Sequence, residues 1–124
     1  MEPIRTMQTA TALLTVSGVG GLTMTIMRFS GKSHPPTWLA MLHGFLSAAA
    51  LTLLDYADFA VGLPGMAQVS LVLLLFATAG GAFINLNFHW QMLPLPKSTV
   101  LAHGGIAVCG FLLPAVATWK VSHA

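Results

Sequence analysis

Charge is what this sequence has least of. Only 6% of its residues are Asp, Glu, Lys or Arg, against about 25% in a typical soluble domain. So few charges cannot cover a globular surface with polar groups, and a water-soluble fold is excluded. Carboxylates are scarcest: Glu2, Asp55 and Asp58 are all there are. With none in the apolar runs, paired-carboxylate chemistry is excluded. So is the plan of a small proton-coupled multidrug exporter, which needs an acid in the membrane. Cys109 is the single cysteine, so an intramolecular disulfide and thiol–disulfide membrane chemistry are both excluded. Its expected role is that of a small buried apolar residue. No Ser-His-Asp set, P-loop or dinucleotide fingerprint occurs. The net charge is only +2, with no basic stripe or aromatic stacking platform, so nucleic acid is not an expected partner.

What is present is apolar. Residues of the apolar classes make up 56% of the chain, and the mean hydropathy is +0.80. Stretches 6–27, 33–54, 59–96 and 98–119 carry no Asp, Glu, Lys or Arg. A bilayer-crossing helix needs roughly 20 mainly apolar residues, so each stretch is long enough. Helices are expected rather than strands, because lipid cannot satisfy an open sheet edge and the runs do not alternate as barrel strands do. The spacing predicts four transmembrane helices at about 7–28, 36–55, 66–88 and 97–119. The expected fold is an all-α integral membrane four-helix bundle in a single domain, 1–124. Pro35, Pro36, Pro94 and Pro96 fall where a helix tolerates proline at its start. Pro64-Gly65 marks a turn, and Pro114 is expected to kink the fourth helix. Trp38 and Trp90 are expected at one interface, Tyr56 and Trp119 at the other. The first segment is read as a span rather than a cleaved leader. Lys and Arg lean toward the 28–35 and 89–97 loops, which favours those loops on the cytoplasmic side. The expected location is a bacterial inner membrane.

The chain also repeats itself. Gly20-Gly21, Pro36 and His43-Gly44 recur as Gly80-Gly81, Pro96 and His103-Gly104, each displaced by 60 residues. Repeat 1 covers about 9–58 and repeat 2 about 66–119, two tandem helical hairpins related by a pseudo-two-fold axis along the membrane normal. The second and fourth helices then face each other diagonally, with His43 and His103 at equal depth. Reflection about hairpin turns near Lys32 and Met92 pairs Gly21 with His43 and Gly81 with His103. It also pairs Gly20 with Gly44 and Gly80 with Gly104. One layer is therefore expected to hold two histidines and six glycines. Ser47 and Ala50 continue the His43 face, and Ala107 and Gly110 the His103 face. This predicts a strip without bulky side chains beside each imidazole.

Two facing histidines with flat space between them suit axial ligation of a haem, and bundles build cofactor sites from facing helices. Intramembrane ionisable residues are functional candidates. Arg28, Lys32, Asn87, His89 and Lys97, near one interface, are placed to receive propionates. In plan the chain resembles the four-helix membrane b-type cytochromes, through the bundle and the paired histidines on opposite helices. Its Gly-Gly, Pro and His-Gly pattern is also similar to that of small uncharacterised bacterial membrane proteins with a two-hairpin layout. The cytochrome resemblance implies one haem b held by His43 and His103, electron transfer, and a quinone or partner cytochrome as the other reactant. The glycines Gly20, Gly21, Gly44, Gly80, Gly81 and Gly104 complete the expected cofactor site.

Other readings of the same residues stay open. Glycines in membrane helices commonly serve close packing, and an intramembrane histidine can be a plain interhelical hydrogen bonder. The chain is then a cofactor-free assembly subunit of a larger membrane complex or a homo-oligomer. Chlorophyll takes one axial imidazole and is a second pigment candidate. Copper could use His43 and His103 with Met24 or Met41. Zinc lacks four convergent ligands. His34 and His89 read as solvated interfacial side chains, His123 as part of a fraying tail, and the alternating Asn85, Asn87, His89 as the frayed end of the third helix.

Overall fold

The computed structural model describes residues 2–124, without the side chains of residues 114, 117, 118, 121 and 122. The kink expected at Pro114 falls outside the described residues. Four α-helices and no strands are found among the described residues: α1 Pro3–Phe29, α2 Thr37–Val61, α3 Gly65–Ile84 and α4 Lys97–Ser122. A π-helical turn, Asn85–His89, extends α3.

Proline and glycine set the helix limits more than charge does. Pro36, Pro64 and Pro96 each immediately precede a helix, and Pro3 opens α1. α1 therefore begins earlier than expected, because Arg5 ends the apolar run without ending the helix. α2 likewise runs past Asp55 to Val61. It stops at Gly62, whose φ of 79° lies in the region that favours glycine. Asp58 secures that turn. Its Oδ1 accepts the Leu63 N–H and the Gln68 Nε2–H, each at 3.0 Å.

α1, α2 and α3 are long and apolar enough to cross a membrane, whereas the apolar stretch described in α4 is shorter, Lys97–Leu113. α1 packs on α2 and α3 on α4 as two hairpins, which join through α1 against α4 and α2 against α3. The diagonals are α1/α3 and α2/α4. Met7, Ala57, Leu63 and Ala67 pack at the end holding the termini. Ala10, Leu14, Ala50, Leu51, Leu54, Leu71 and Leu74 fill the middle. Ile84, Leu95 and Val100 pack near the hairpin loops. The outer faces are apolar as well: Val19, Leu22, Phe45, Phe76 and Leu101 are exposed. Hydroxyls among them are satisfied locally. Thr9, Thr15 and Thr23 each donate to the carbonyl four residues earlier, so no hydroxyl hydrogen on those residues needs water.

Sequence position alone misjudged two features. Cys109 is exposed rather than buried. It adjoins buried Gly110, and one residue along a helix turns the side chain by about 100°. The polar run after Ile84 is not frayed. The Trp90 N–H bonds to the Asn85 carbonyl at 2.7 Å, and the Leu93 N–H to that of Phe88 at 2.9 Å. These five-residue bonds are the signature of a π turn, which recurs at functional sites. Asn85 is half-buried and His89 buried, while Asn87 between them faces out.

Candidate functional site

The repeat brings His43 of α2 and His103 of α4 together across the diagonal. Their ring centroids are 6.2 Å apart and their planes cross at 83°. Each ring is anchored within its own hairpin. His43 Nδ1 lies 2.8 Å from the Ser17 carbonyl oxygen, and His103 Nδ1 lies 2.7 Å from that of Ala77. A carbonyl oxygen only accepts, so Nδ1 carries the hydrogen in both rings. In a neutral imidazole that leaves the lone pair on Nε2. Among the described residues neither Nε2 has a hydrogen-bond partner. No fully buried side-chain nitrogen or oxygen there lacks one, so neither Nε2 is completely buried.

Glycine makes this approach feasible. A Cβ at Gly21 would lie 3.0 Å from His43 Cε1 and 3.4 Å from its Nδ1. A Cβ at Gly81 would lie 3.0 Å from His103 Cε1 and 3.5 Å from its Nδ1. The two half-sites agree to 0.1 Å in these contacts. Gly20 and Gly80 also border His43 and His103, at 3.8 Å or more. Gly44 and Gly104 do not belong to the layer. A Cβ at either would meet nothing within 4 Å, so the expected pairs Gly20–Gly44 and Gly80–Gly104 do not form. Each follows a histidine by one residue, which turns it off the inward face. The layer holds two histidines and four glycines.

The expected strip of free space beside the imidazoles is filled on the side toward the termini. Ser47 bonds to Ser17 at 2.6 Å, and Ala50 is fully buried in the leucine core. Gly110 receives Leu74, whose Cγ would lie 2.9 Å from an added Cβ, and Ser70 donates to the Gly110 carbonyl. Small residues here admit neighbouring side chains rather than leaving a slot.

The halves differ at two neighbouring positions beside the rings. Ser17 Oγ lies 3.0 Å from His43 Nδ1, 3.0 Å from the His43 carbonyl and 2.6 Å from Ser47 Oγ. The equivalent positions in the second half are Ala77 and Ala107, so His103 has no such hydroxyl beside it.

At the loop end the expected propionate receivers are largely engaged. Arg28 Nε donates to the Leu95 carbonyl at 2.7 Å, and the Leu95 N–H to Ser33 at 3.0 Å. Lys97 Nζ stands 5.3 Å over the Phe29 ring. Asn87 donates to the Phe83 carbonyl, and Lys32 is exposed. His89 is buried rather than solvated. Its Nε2–H donates to the Pro35 carbonyl at 2.9 Å, and its ring meets that of His34 edge-on at 5.8 Å. No sequence signal other than the π-turn polarity marked this second pair. In the tail, His123 stacks on Trp119 at 3.9 Å.

Two imidazoles on a common metal atom stand with centroids about 6 Å apart, from metal–nitrogen bonds of roughly 2 Å and a ring radius of about 1 Å on each side. The 6.2 Å separation of His43 and His103 is close to that figure. Nδ1–H bonded to a carbonyl is also the arrangement that orients metal-ligating histidines. Among the described residues no three of His, Cys, Asp and Glu converge, so a tetrahedral zinc site lacks its ligands. Met41 is exposed, which removes it as a copper ligand. No family model, curated protein or solved structure matches this chain.

Proposed function

We propose that this chain is a small four-span membrane redox protein, built of two tandem hairpins, that holds one haem b between His43 and His103. One observation carries the reading: a duplicated histidine whose Nδ1 is tied to a carbonyl at 2.8 and 2.7 Å and whose Nε2 has no hydrogen-bond partner among the described residues. Both repeats leave the same nitrogen without a partner among the described residues, and its lone pair is the one a metal-ligating imidazole uses. Bound haem would supply one-electron chemistry at its iron. The chain's own residues do the rest. Ser17 and Ala77 fix the tautomer and aim of the two rings through their carbonyls. Gly21 and Gly81 let α1 and α3 approach closely enough for those bonds to form. The surrounding apolar helices exclude water, and a quinone or a partner cytochrome in a bacterial inner membrane would exchange the electron.

The filled strip at Ser47, Ala50 and Gly110 favours a second reading, a cofactor-free assembly subunit whose glycines and histidines only pack. The two separate in a reduced-minus-oxidised absorption spectrum of the detergent-purified protein after haem-replete expression, with pigment extraction alongside. The haem reading expects a b-type signal that is lost in His43→Ala and in His103→Ala. Colourless wild-type protein, or a signal that survives both substitutions, would overturn it in favour of the second reading. Extracted chlorophyll would replace haem by a light-harvesting pigment.

A further inference from the structure

The contacts of the two imidazoles with glycine and with a carbonyl agree closely, which makes the departure at Ser17 informative. Ser17 is 2% exposed and touches three polar partners, yet position 77, its counterpart, is alanine. One assignment of hydrogens satisfies every contact. The Nδ1–H of His43 is shared between the Ser17 carbonyl at 2.8 Å and Ser17 Oγ at 3.0 Å. Ser47 donates its hydroxyl hydrogen to Ser17 Oγ at 2.6 Å. Ser17 then donates its own hydrogen to the His43 carbonyl at 3.0 Å. In this network Ser17 Oγ accepts twice and donates once, which is its full capacity. Among the described residues His103 Nδ1–H has the Ala77 carbonyl alone.

From this we infer that Ser17, backed by Ser47, is a positioning residue that makes His43 and His103 unequal donors. Resting on the haem reading above, it assigns His43 the more electron-rich Nε2. A second acceptor on Nδ1–H draws that hydrogen away from the ring and raises the basicity of the opposite nitrogen. With haem held there, a more basic imidazole would favour the more highly charged, oxidised iron, so Ser17 would lower the reduction potential, and from one side of the site only.

The test is a redox titration of the haem-loaded protein in four forms. Ser17→Ala is expected to raise the midpoint by about a threefold change in the reduction equilibrium, roughly 30 mV at 59 mV per decade for one electron. Ser17→Thr keeps the hydroxyl and is expected to stay at the wild-type value. Ala77→Ser with Ala107→Ser transplants the network to His103 and is expected to lower the midpoint by a similar amount. A structural role alone would not give opposite signs for removal and transplantation. Haem-bound Ser17→Ala with an unmoved midpoint overturns the inference and leaves the haem reading intact. Absence of haem from the wild type overturns both. A second readout needs no cofactor: side-chain nitrogen NMR of the histidines. It is expected to show hydrogen on Nδ1 of both rings, exchanging more slowly at His43 than at His103 and losing that difference in Ser17→Ala. Equal exchange in the wild type, or hydrogen on Nε2 of His43, overturns the inference.

Discussion

Substituting alanine for Gly21 tests the physical basis of the histidine layer directly. The new Cβ would stand 3.0 Å from His43 Cε1 and 3.4 Å from Nδ1, so the ring must yield by roughly 0.4 Å to reach ordinary contact. It is not free to do so, because its Nδ1–H is held by the Ser17 carbonyl at 2.8 Å. Either that bond lengthens or α1 moves off α2. Overpacking of this kind destabilises by about 1–3 kcal/mol. Alanine also favours the helix over glycine by about 1 kcal/mol, which obscures the effect in a single variant. Gly18 supplies the control. It lies on the same helix, and a Cβ there meets nothing within 4 Å, so the propensity gain cancels between the two sites. Gly21→Ala is expected to fall below Gly18→Ala by the full overpacking term, about 1–3 kcal/mol. Gly81→Ala should match Gly21→Ala, because its Cβ would meet His103 Cε1 at the same 3.0 Å. The assay is equilibrium unfolding in mixed micelles with increasing SDS, followed by circular dichroism. If all three variants agree within about 0.5 kcal/mol, the error of additivity between independent sites, the glycines are not there for the rings and the reasoning fails.

Other expectations follow from single contacts. Gly110→Ala places a Cβ 2.9 Å from Leu74 Cγ and should destabilise the α3–α4 hairpin by about 1–3 kcal/mol. Adding Leu74→Val should recover part of that loss, and strict additivity in the unfolding cycle would refute the contact. His89→Phe keeps an aromatic ring against His34 but loses the bond to the Pro35 carbonyl. It should cost about 1 kcal/mol and speed amide exchange in the 30–36 loop, and unchanged exchange there would count against the tie. Asp58→Ala removes the acceptor of the Leu63 N–H and should raise exchange at that amide, whereas Asp58→Asn, which keeps an oxygen, should raise it less.

The apolar runs and the repeat were legible in the sequence because both are linear properties. Absence of charge over 6–27, 33–54, 59–96 and 98–119 is read residue by residue. The shared 60-residue displacement is read the same way, and it sufficed to bring Gly21 to His43 and Gly81 to His103. Rotation of each helix about its own axis was not legible. In a soluble bundle the polar face marks the outside. Here both faces are apolar, and lipid gives no hydrophobic reason to prefer one inward. Gly44, Gly104 and Cys109 were therefore expected inside, although each sits one residue from an inward-facing neighbour. His89 was expected outside because it falls near the interface at a position the repeat does not share, whereas the Pro35 carbonyl and the His34 ring hold it inside.

By itself the sequence determined that the chain is apolar and helical, that its two halves are alike, and that two histidines share one depth. Those follow from composition and from spacing along a rigid helix. Only the tertiary structure decided which nitrogen of each histidine is spoken for, that Ser17 serves one ring and nothing equivalent serves the other, and that the small-residue strip is filled. Those depend on contacts of about 3 Å between helices, and a one-residue roll of about 100° is enough to make or abolish them.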